Sequence, residues 1–237
     1  PTQQSVGKLR EIGIQPDILL CRIDRELPKN LREKIALFCN VGVDSVIAAP
    51  DVDNIYRLPM VFSEQDLDDR ILERLGIWAG CARLERWVEL MDRIDNARHR
   101  VTIGIVGKYV NLTDTYKSLN EALRHGGIAN NARVELKFID SELLSDPAAE
   151  LSDVDAILVP GGFGKRGAEG KIDAIRWARE SGTPFFGICL GMQLAVVEFC
   201  RNVLGLTNAQ SREFSSTAEH IVVELMDEQR QVTDKGG

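Results

Sequence analysis

Hydrophobic and polar positions change their spacing repeatedly over residues 1–76. Apolar residues at helical spacing predict a helix over residues 3–12, which Gly13 ends. The mostly apolar runs at residues 17–23 and 45–49 have the length and composition of strands that are buried on both faces. The pattern therefore alternates between helix and strand.

Further helices are predicted between and after these two strands. Pro28 can open a helix that runs to about Cys39, because proline at the first helical position has no N–H to leave unpaired. Ser63 is the predicted N-cap of a helix that runs through Leu75. Buried strands with intervening helices indicate the edge of a parallel sheet.

Residues 77–100 have a different pattern, in which tryptophans and aliphatic residues recur among arginines and glutamates. This pattern is typical of an amphipathic helix that packs its apolar stripe against a neighbour. We therefore predict that the segment is a linker helix between two domains, residues 1–76 and residues 101–237.

A second alternation of strands and helices begins at Val101. Strands are predicted at residues 101–106, 134–139, 155–159, 184–188 and 220–225. Two long helices are predicted at residues 168–181 and 190–204. The predicted fold class is α/β, with two open pieces that have mostly parallel sheets and helices on both faces and are joined by the linker helix.

One further helix is predicted between the first two strands of the second unit. Ser118 and Glu121 form a capping-box pattern, although Asp114 or Thr115 could cap the same helix earlier. The run His125-Gly126-Gly127 is expected to end this helix.

The first candidate for chemistry is the segment from residue 185 to residue 193, which has the pattern of strand, sharp turn and helix. Cys189 lies at the turn, between Gly187 and Gly191. This G-x-C-x-G pattern is the cysteine version of a nucleophile elbow. Small residues are needed there, because such a turn brings neighbouring backbone close.

The same position would activate the thiol of Cys189. At a helix N-terminus the unpaired N–H groups and the helix dipole favour the thiolate. The backbone N–H of Leu190 is then expected to point to where an oxyanion would form. The alternative is a structural cysteine that is buried between two tightly packed glycines.

A glycine-rich loop, PGGFGKRG at residues 160–167, is the second candidate. Its glycines match the dinucleotide fingerprint G-x-G-x-x-G, but that fingerprint needs an acidic residue about twenty positions later. Residues 185–189 contain no Asp or Glu. The loop is therefore better interpreted as part of an oxyanion hole in which Gly162 offers its N–H, with a plain structural turn as the alternative.

Composition excludes several classes of function. The net charge of −7 argues against a nucleic-acid-binding surface, and no apolar run approaches the ~18 residues of a membrane span. The five cysteines contain no CxxC pair and the three histidines lack metal-ligand spacing, so we expect reduced thiols in a cytoplasmic protein and no metal site.

Taken together, PGGFG and GICLGMQ resemble the class I glutamine amidotransferases, which hydrolyse glutamine with a Cys–His–Glu triad and pass ammonia to a synthetase. The flanking segments identify the synthetase. The chain closely resembles the CTP synthase family at PTQQSV, IGIQPDILLCR, EKIALFCNV, VGKY, DTYKSLNEALRHGG, DAILVPGGFGKRGAEGKI and NAQSREF. The resemblance covers nearly the whole chain and is weakest at residues 77–100 and 140–153.

The resemblance implies site residues on the matching motifs. Cys189 would be the nucleophile, and Glu213 would bind the α-ammonium of glutamine, although the sequence alone would favour a solvated surface charge for Glu213. The residues implied around glutamine and its oxyanion are Gly162, Leu190, Gly191, Met192, Gln193 and Glu213. The residues implied to bind nucleotides are Thr2, Gln3, Lys34, Asp51 and Val52.

The resemblance also implies cofactors and partners. The family converts UTP to CTP with ATP, Mg²⁺ and glutamine, takes GTP as allosteric activator, is inhibited by CTP and works as a homotetramer. We expect the chain to be a piece of a longer protein, with residues 1–76 from the end of the synthetase (amidoligase) domain. The ATP-binding P-loop would precede Pro1 and the triad His and Glu would follow Gly237, so the piece alone is expected to be inactive.

Two other functions remain open from the sequence. The first is another class I glutamine amidotransferase, such as the GMP synthase type, which residues 1–76 disfavour. The second is a non-catalytic module for nucleotide sensing or assembly, which the presence of Cys189 and Gly162 disfavours.

Overall fold

The computed structural model describes residues 1–108, 116–224 and 226. The chain divides into two compact units, residues 1–95 and residues 96–237. Within the described part of the chain, no helix combines the length and the apolar character that crossing a membrane requires.

The first unit is a small α/β piece. Its helices and strands are α1 (Thr2–Glu11), β1 (Leu19–Ile23), α2 (Lys29–Cys39), β2 (Val46–Pro50), α3 (Leu58–Ser63), α4 (Leu67–Leu75) and α5 (Glu85–Asp95). Strands β1 and β2 pair in parallel, as their apolar runs predicted. Val6 of α1, Cys39 of α2 and Val46 of β2 are all buried in the core that joins the helices to this sheet.

The prediction that Ser63 caps a helix is wrong. Ser63 is the last residue of α3, a short helix that carries a proline at its first turn. The following helix, α4, instead has Asp66 at its N-cap, in the left-handed conformation with φ 54°. Sequence reasoning missed α3, because Pro59 fits the first turn of a helix as readily as it fits a loop.

The amphipathic segment at residues 77–100 is helical only over α5. The ring of Trp87 lies edge-on to Tyr56, with the ring centroids 6.5 Å apart, and its indole N–H donates to the backbone carbonyl of Tyr56. Asp95 at the end of α5 accepts hydrogen bonds from Arg57. Trp87 and Asp95 of α5 therefore contact Tyr56 and Arg57 within the first unit. The proposed linker limits stay a prediction.

The second unit contains the larger sheet. Its elements are β3 (His99–Gly107), α6 (Lys117–Ala129), β4 (Ala132–Asp140), α7 (Pro147–Glu150), β5 (Ala156–Val159), α8 (Ala168–Ser181), β6 (Phe185–Gly187), α9 (Leu190–Asn202), β7 (Ala209–Ser211) and β8 (His220–Val223). A four-stranded parallel sheet has the order β4-β3-β5-β6, and β7 pairs with β8 in parallel. The predicted α/β class with parallel sheets is confirmed. Leu225, the predicted end of the last strand, lies outside the described residues.

The sheet of the second unit places two loops at one edge. In a parallel sheet the carboxyl ends of neighbouring strands lie at the same edge. Strands β5 and β6 are neighbours with Val159 opposite Gly187, so the glycine-rich loop after β5 and the turn after β6 leave the sheet side by side. Helices α8 and α9 follow these loops and pack on the sheet through Ile172, Leu194 and Val197, which are all buried.

The predictions for α6 need two corrections. Ser118 lies inside the first turn of α6 and not at its N-cap, and Asp114 and Thr115 lie outside the described residues. The glycine pair does not end the helix, which continues to Ala129. Tertiary packing overrides the low helix propensity of glycine here, because Gly127 is buried where α6 approaches strand β4.

The two glycines of α6 should respond oppositely to alanine. A Cβ atom at Gly127 would lie 2.6 Å from the carbonyl oxygen of Ala132, whereas a Cβ at Gly126 would meet nothing within 4 Å. Gly126→Ala should therefore raise the free energy of unfolding by about 0.5–1 kcal/mol, because alanine is the better helix former. Gly127→Ala should lower it by about 1–3 kcal/mol through overpacking. Urea denaturation of both variants measures the difference, and equal effects would contradict the packing described for α6.

Candidate active site

Cys189 occupies a strained turn between β6 and α9. It is the N-cap of α9 with φ 50° and ψ −107°, and it is one of four described residues other than glycine with positive φ. The other three are Asn or Asp, residue types that tolerate such backbone angles. Cys189 is also exposed to solvent. A strained backbone at an exposed thiol is typical of a functional position and not of a core cysteine.

The glycines on either side of Cys189 permit this turn. A Cβ at Gly187 would lie 2.6 Å from the backbone nitrogen of Met192, and a Cβ at Gly191 would lie 2.0 Å from the carbonyl oxygen of Val159. Both positions are therefore closed to any side chain. Gly191 lets the first turn of α9 press directly against the end of β5.

The first turn of α9 presents backbone N–H groups beside the thiol. The first N–H groups of a helix have no acceptor within the helix, which makes this end attractive to negative charge. The side chain of Leu190 is buried, that of Met192 is exposed, and Gln193 is half-buried. The N–H of Gln193 donates to the carbonyl oxygen of Cys189 at 3.1 Å. The N–H of Leu190, one residue after Cys189, is the nearest group in sequence that could donate a hydrogen bond to an oxyanion.

The glycine-rich loop lies directly against the elbow. A Cβ at Gly161 would be 3.5 Å from the Cβ of Cys189, and one at Gly162 would be 3.7 Å from the side chain of Leu190. Gly164 and Gly167 have positive φ, at 76° and 69°. The structure thus brings the two motifs together, as the oxyanion-hole interpretation requires.

Two charged side chains hold the same loop in place. The N–H of Gly164 donates to the carboxylate of Glu213 at 2.6 Å. The ammonium of Lys108, at the end of β3, donates to the carbonyl oxygens of Phe163 and Gly164. Glu213 therefore reaches the glycine loop, where the predicted glutamine site is. Sequence reasoning did not assign a role to Lys108, and its position after a buried strand was the available signal.

Lys171, on the first turns of α8, was also missed. Its side chain is 1% exposed, and a Cβ at Gly162 would lie 3.9 Å from its Nζ atom. Burial lowers the pKa of Lys171 to about 8, and the positive charge of Lys108 acts in the same direction. No signal in the sequence distinguishes this lysine from those on helix surfaces.

The predicted nucleotide-binding residues lie in the first unit. Thr2 begins α1 and makes a side-chain hydrogen bond with Cys21 of β1, while Asp51 follows β2 and pairs with Arg22 at 2.8 Å. Gln3 and Lys34 are exposed on α1 and α2, and Val52, next to Asp51, is half-buried. Within the described ranges, no hydrogen bond or ion pair joins Thr2, Gln3 or Lys34 to Asp51 or Val52.

Metal-binding groups give no candidate site. Among residues 1–108, 116–224 and 226, no three His, Cys, Asp or Glu side chains cluster in a way that could hold a metal ion.

Comparison with known proteins follows the two units of the chain. A family described as "Glutamine amidotransferase class-I" matches residues 111–234, and one described as "CTP synthase N-terminus" matches residues 1–77. A solved structure of the glutaminase domain of Trypanosoma brucei CTPS with bound acivicin is similar, with a TM-score of 0.51 and 43% identity. The similarity covers 55% of this chain and 52% of that one. The elbow, the glycine loop and these matches define a class I glutamine amidotransferase.

Curated relatives make the assignment more specific. CTP synthases of Syntrophus aciditrophicus and Geobacter metallireducens are 54% and 55% identical over all of this chain. The chain belongs to the CTP synthase family. It spans 44% and 45% of the length of these two relatives.

Proposed function

We propose that this chain is part of a CTP synthase and that Cys189 hydrolyses glutamine to supply ammonia for the amination of UTP to CTP. The observation that supports the proposal is the exposed thiol of Cys189. It lies on a strained backbone turn at the N-terminus of α9, directly against the glycine loop. A buried structural cysteine needs neither the positive φ nor the exposure.

The geometry supports a covalent mechanism. The thiolate of Cys189 attacks the side-chain amide carbon of glutamine, and the carbonyl π electrons move onto oxygen to give a tetrahedral oxyanion. The N–H groups of Leu190 and Gly162 would stabilise this oxyanion. The carbon–nitrogen bond then breaks, ammonia leaves with a proton from a general acid, and water cleaves the resulting thioester to release glutamate and the thiol.

The remaining residues of the site would bind the substrate. The carboxylate of Glu213 lies at the glycine loop through Gly164 and is of the right charge for the α-ammonium of glutamine. Gly191, Met192 and Gln193 lie on the first turn of α9, beside the thiol. The exposed side chain of Met192 would flank the aliphatic part of the substrate.

The synthetase half of the reaction is proposed on family membership. ATP would phosphorylate UTP at the uracil O4 and ammonia would displace the phosphate. Thr2, Gln3, Lys34, Asp51 and Val52 would contribute to nucleotide binding from the first unit. Mg²⁺ would accompany the nucleotides and GTP would activate the glutaminase, in a cytoplasmic homotetramer that CTP inhibits.

We also propose a division of the longer protein. Residues 1–76 would form the end of the amidoligase domain, residues 77–100 would link it to the next domain, and residues 101–237 would form the beginning of the amidotransferase domain.

The triad His and Glu would come from outside this chain. Purified as it stands, the chain should therefore release little or no ammonia from glutamine, which a coupled glutamate dehydrogenase assay measures.

Labelling with an electrophilic glutamine analogue tests the glutaminase assignment in the full-length protein. We expect peptide mass spectrometry to find the label on Cys189 and excess glutamine to slow its attachment at least about tenfold, because both compete for one pocket. Cys81 is also exposed and serves as the internal control, since glutamine should not protect it. Equal labelling of both cysteines, or no protection at Cys189, would count against the function.

A further inference from the structure

The side chain of Lys171 is a buried cation with no counter-ion among the residues that the structure describes. It is 1% exposed, and within the described part of the chain it makes no hydrogen bond and no ion pair. Buried lysines are rare unless they are paired, because the low dielectric of the interior penalises an isolated charge. An unpaired charge in this position is thus a feature that packing alone does not explain.

The surrounding elements offer no relief for this charge. Three other titratable groups lie around the glycine loop: Lys108 at the end of β3, Cys189 at the start of α9 and Glu213. Glu213 is already engaged by the N–H of Gly164, and Glu142 on the neighbouring segment pairs with Arg166 at 2.8 Å. Of the described groups, Lys108 is the one whose charge acts on Lys171, and it repels.

The position of the ammonium indicates which anion it would meet. A Cβ built on Gly162 would lie 3.9 Å from the Nζ of Lys171 and 3.7 Å from the side chain of Leu190. The charge therefore lies close to the place at which Gly162 meets the side chain of Leu190, at the start of α9. Those two segments carry the N–H groups that would donate hydrogen bonds to the oxyanion. Electrostatic interactions are strong over such distances when water is excluded.

We propose that Lys171 is a positioning residue of the glutaminase site, whose buried positive charge favours the oxyanion that forms between Gly162 and Leu190. The inference rests on the proposed glutaminase function. Lys171 does not touch the reacting atoms, and its charge acts on the oxyanion across the glycine loop. Before the reaction this charge has no partner among the described residues, and it gains one as negative charge develops on the substrate oxygen.

This role gives a pH dependence with a definite sign. The pKa of Lys171 is lowered to about 8, so the group is charged below that pH and loses its charge as the pH rises through it. Negative charge on the reacting thiol or oxyanion favours the ammonium form and therefore raises the pKa of Lys171. The turnover of glutamine should therefore contain a component that is lost at or above about pH 8 and that depends on Lys171.

The test compares Lys171→Met with the wild type and with Arg176→Met in the full-length enzyme. Arg176 lies on the same helix, but it is exposed and pairs with Glu180. At pH 7 we expect Lys171→Met to lower kcat for glutamine hydrolysis about tenfold, with KM changed less than about twofold, because the lost interaction exists mainly in the transition state. The component lost at high pH should be absent from this variant and retained in Arg176→Met.

Stability provides the second readout. Because the substitution removes an unpaired buried charge, Lys171→Met should unfold at the same temperature as the wild type or higher. An unfolded or clearly less stable variant would overturn the inference, because it would show that the ammonium has a structural partner. Unchanged kcat and an unchanged pH profile, in an enzyme whose activity depends on Cys189, would overturn it as well. A wild type whose glutamine hydrolysis does not depend on Cys189 would instead refute the proposed function.

Discussion

Replacing Cys189 with alanine should lower glutamine-dependent CTP formation by at least about three orders of magnitude, because a covalent mechanism has no substitute for its nucleophile. The same variant should still form CTP when ammonia is supplied directly, because the elbow lies in the second unit and the predicted nucleotide residues lie in the first. Steady-state assays with glutamine and with ammonium chloride, in the full-length enzyme, measure both activities.

The matched control for this experiment is Cys81→Ala. Cys81 is also exposed, but it lies outside the helices and strands of the first unit and its φ is not positive. Its replacement should leave both activities within about twofold of the wild type, as expected for a surface substitution. Retention of glutamine-dependent activity in Cys189→Ala, or its loss in Cys81→Ala, would contradict the assignment of the nucleophile.

Replacing Gly191 with alanine should have the second large effect, although the change adds a single methyl group. The new Cβ would lie 2.0 Å from the carbonyl oxygen and 2.8 Å from the carbonyl carbon of Val159. Both are backbone atoms of a buried strand, so neither can rotate away. The start of α9 would have to move off the sheet, which we expect to lower the free energy of unfolding by about 3 kcal/mol.

The displacement should also disable the site, because Cys189 and the N–H of Leu190 lie on the segment that must move. We expect Gly191→Ala to lose glutamine-protected labelling of Cys189 even at temperatures at which the protein stays folded. Gly126→Ala is the control, since its added Cβ meets nothing within 4 Å. Normal labelling and normal stability in Gly191→Ala would show that the close approach of α9 and β5 does not shape the elbow.

The errors made from the sequence have a common physical cause. Ser63 and Ser118 are good capping residues, but Ser63 ends α3 and Ser118 lies inside α6. The capping preference of a residue shows that it can begin a helix. It does not show that a helix begins there, because tertiary packing selects among several compatible starting residues. Gly127 shows the same limit, since its use is close packing against β4 and not the end of a helix.

Long-range contacts around the site could not be predicted. Lys108, Gly164 and Glu213 meet at one loop, although they are widely separated along the chain. Neither periodicity nor local motifs report such pairs, because both describe neighbours in sequence. Family resemblance named Glu213 as a substrate residue, but it did not indicate that its carboxylate accepts a hydrogen bond from the loop of Gly162.

The sequence by itself determined the local architecture of this protein. Apolar runs and helical spacing are enough to predict parallel strands and helices, and G-x-C-x-G between a strand and a helix is enough to predict a sharp turn at Cys189. These features depend on residues close together in the chain. The tertiary structure alone decided that the glycine loop lies against this turn, that Lys108 and Glu213 hold the loop, and that Lys171 is buried with no counter-ion among the described residues. Burial and electrostatic environment depend on every element that packs around a group, and they exist only once the sheet and its helices are assembled.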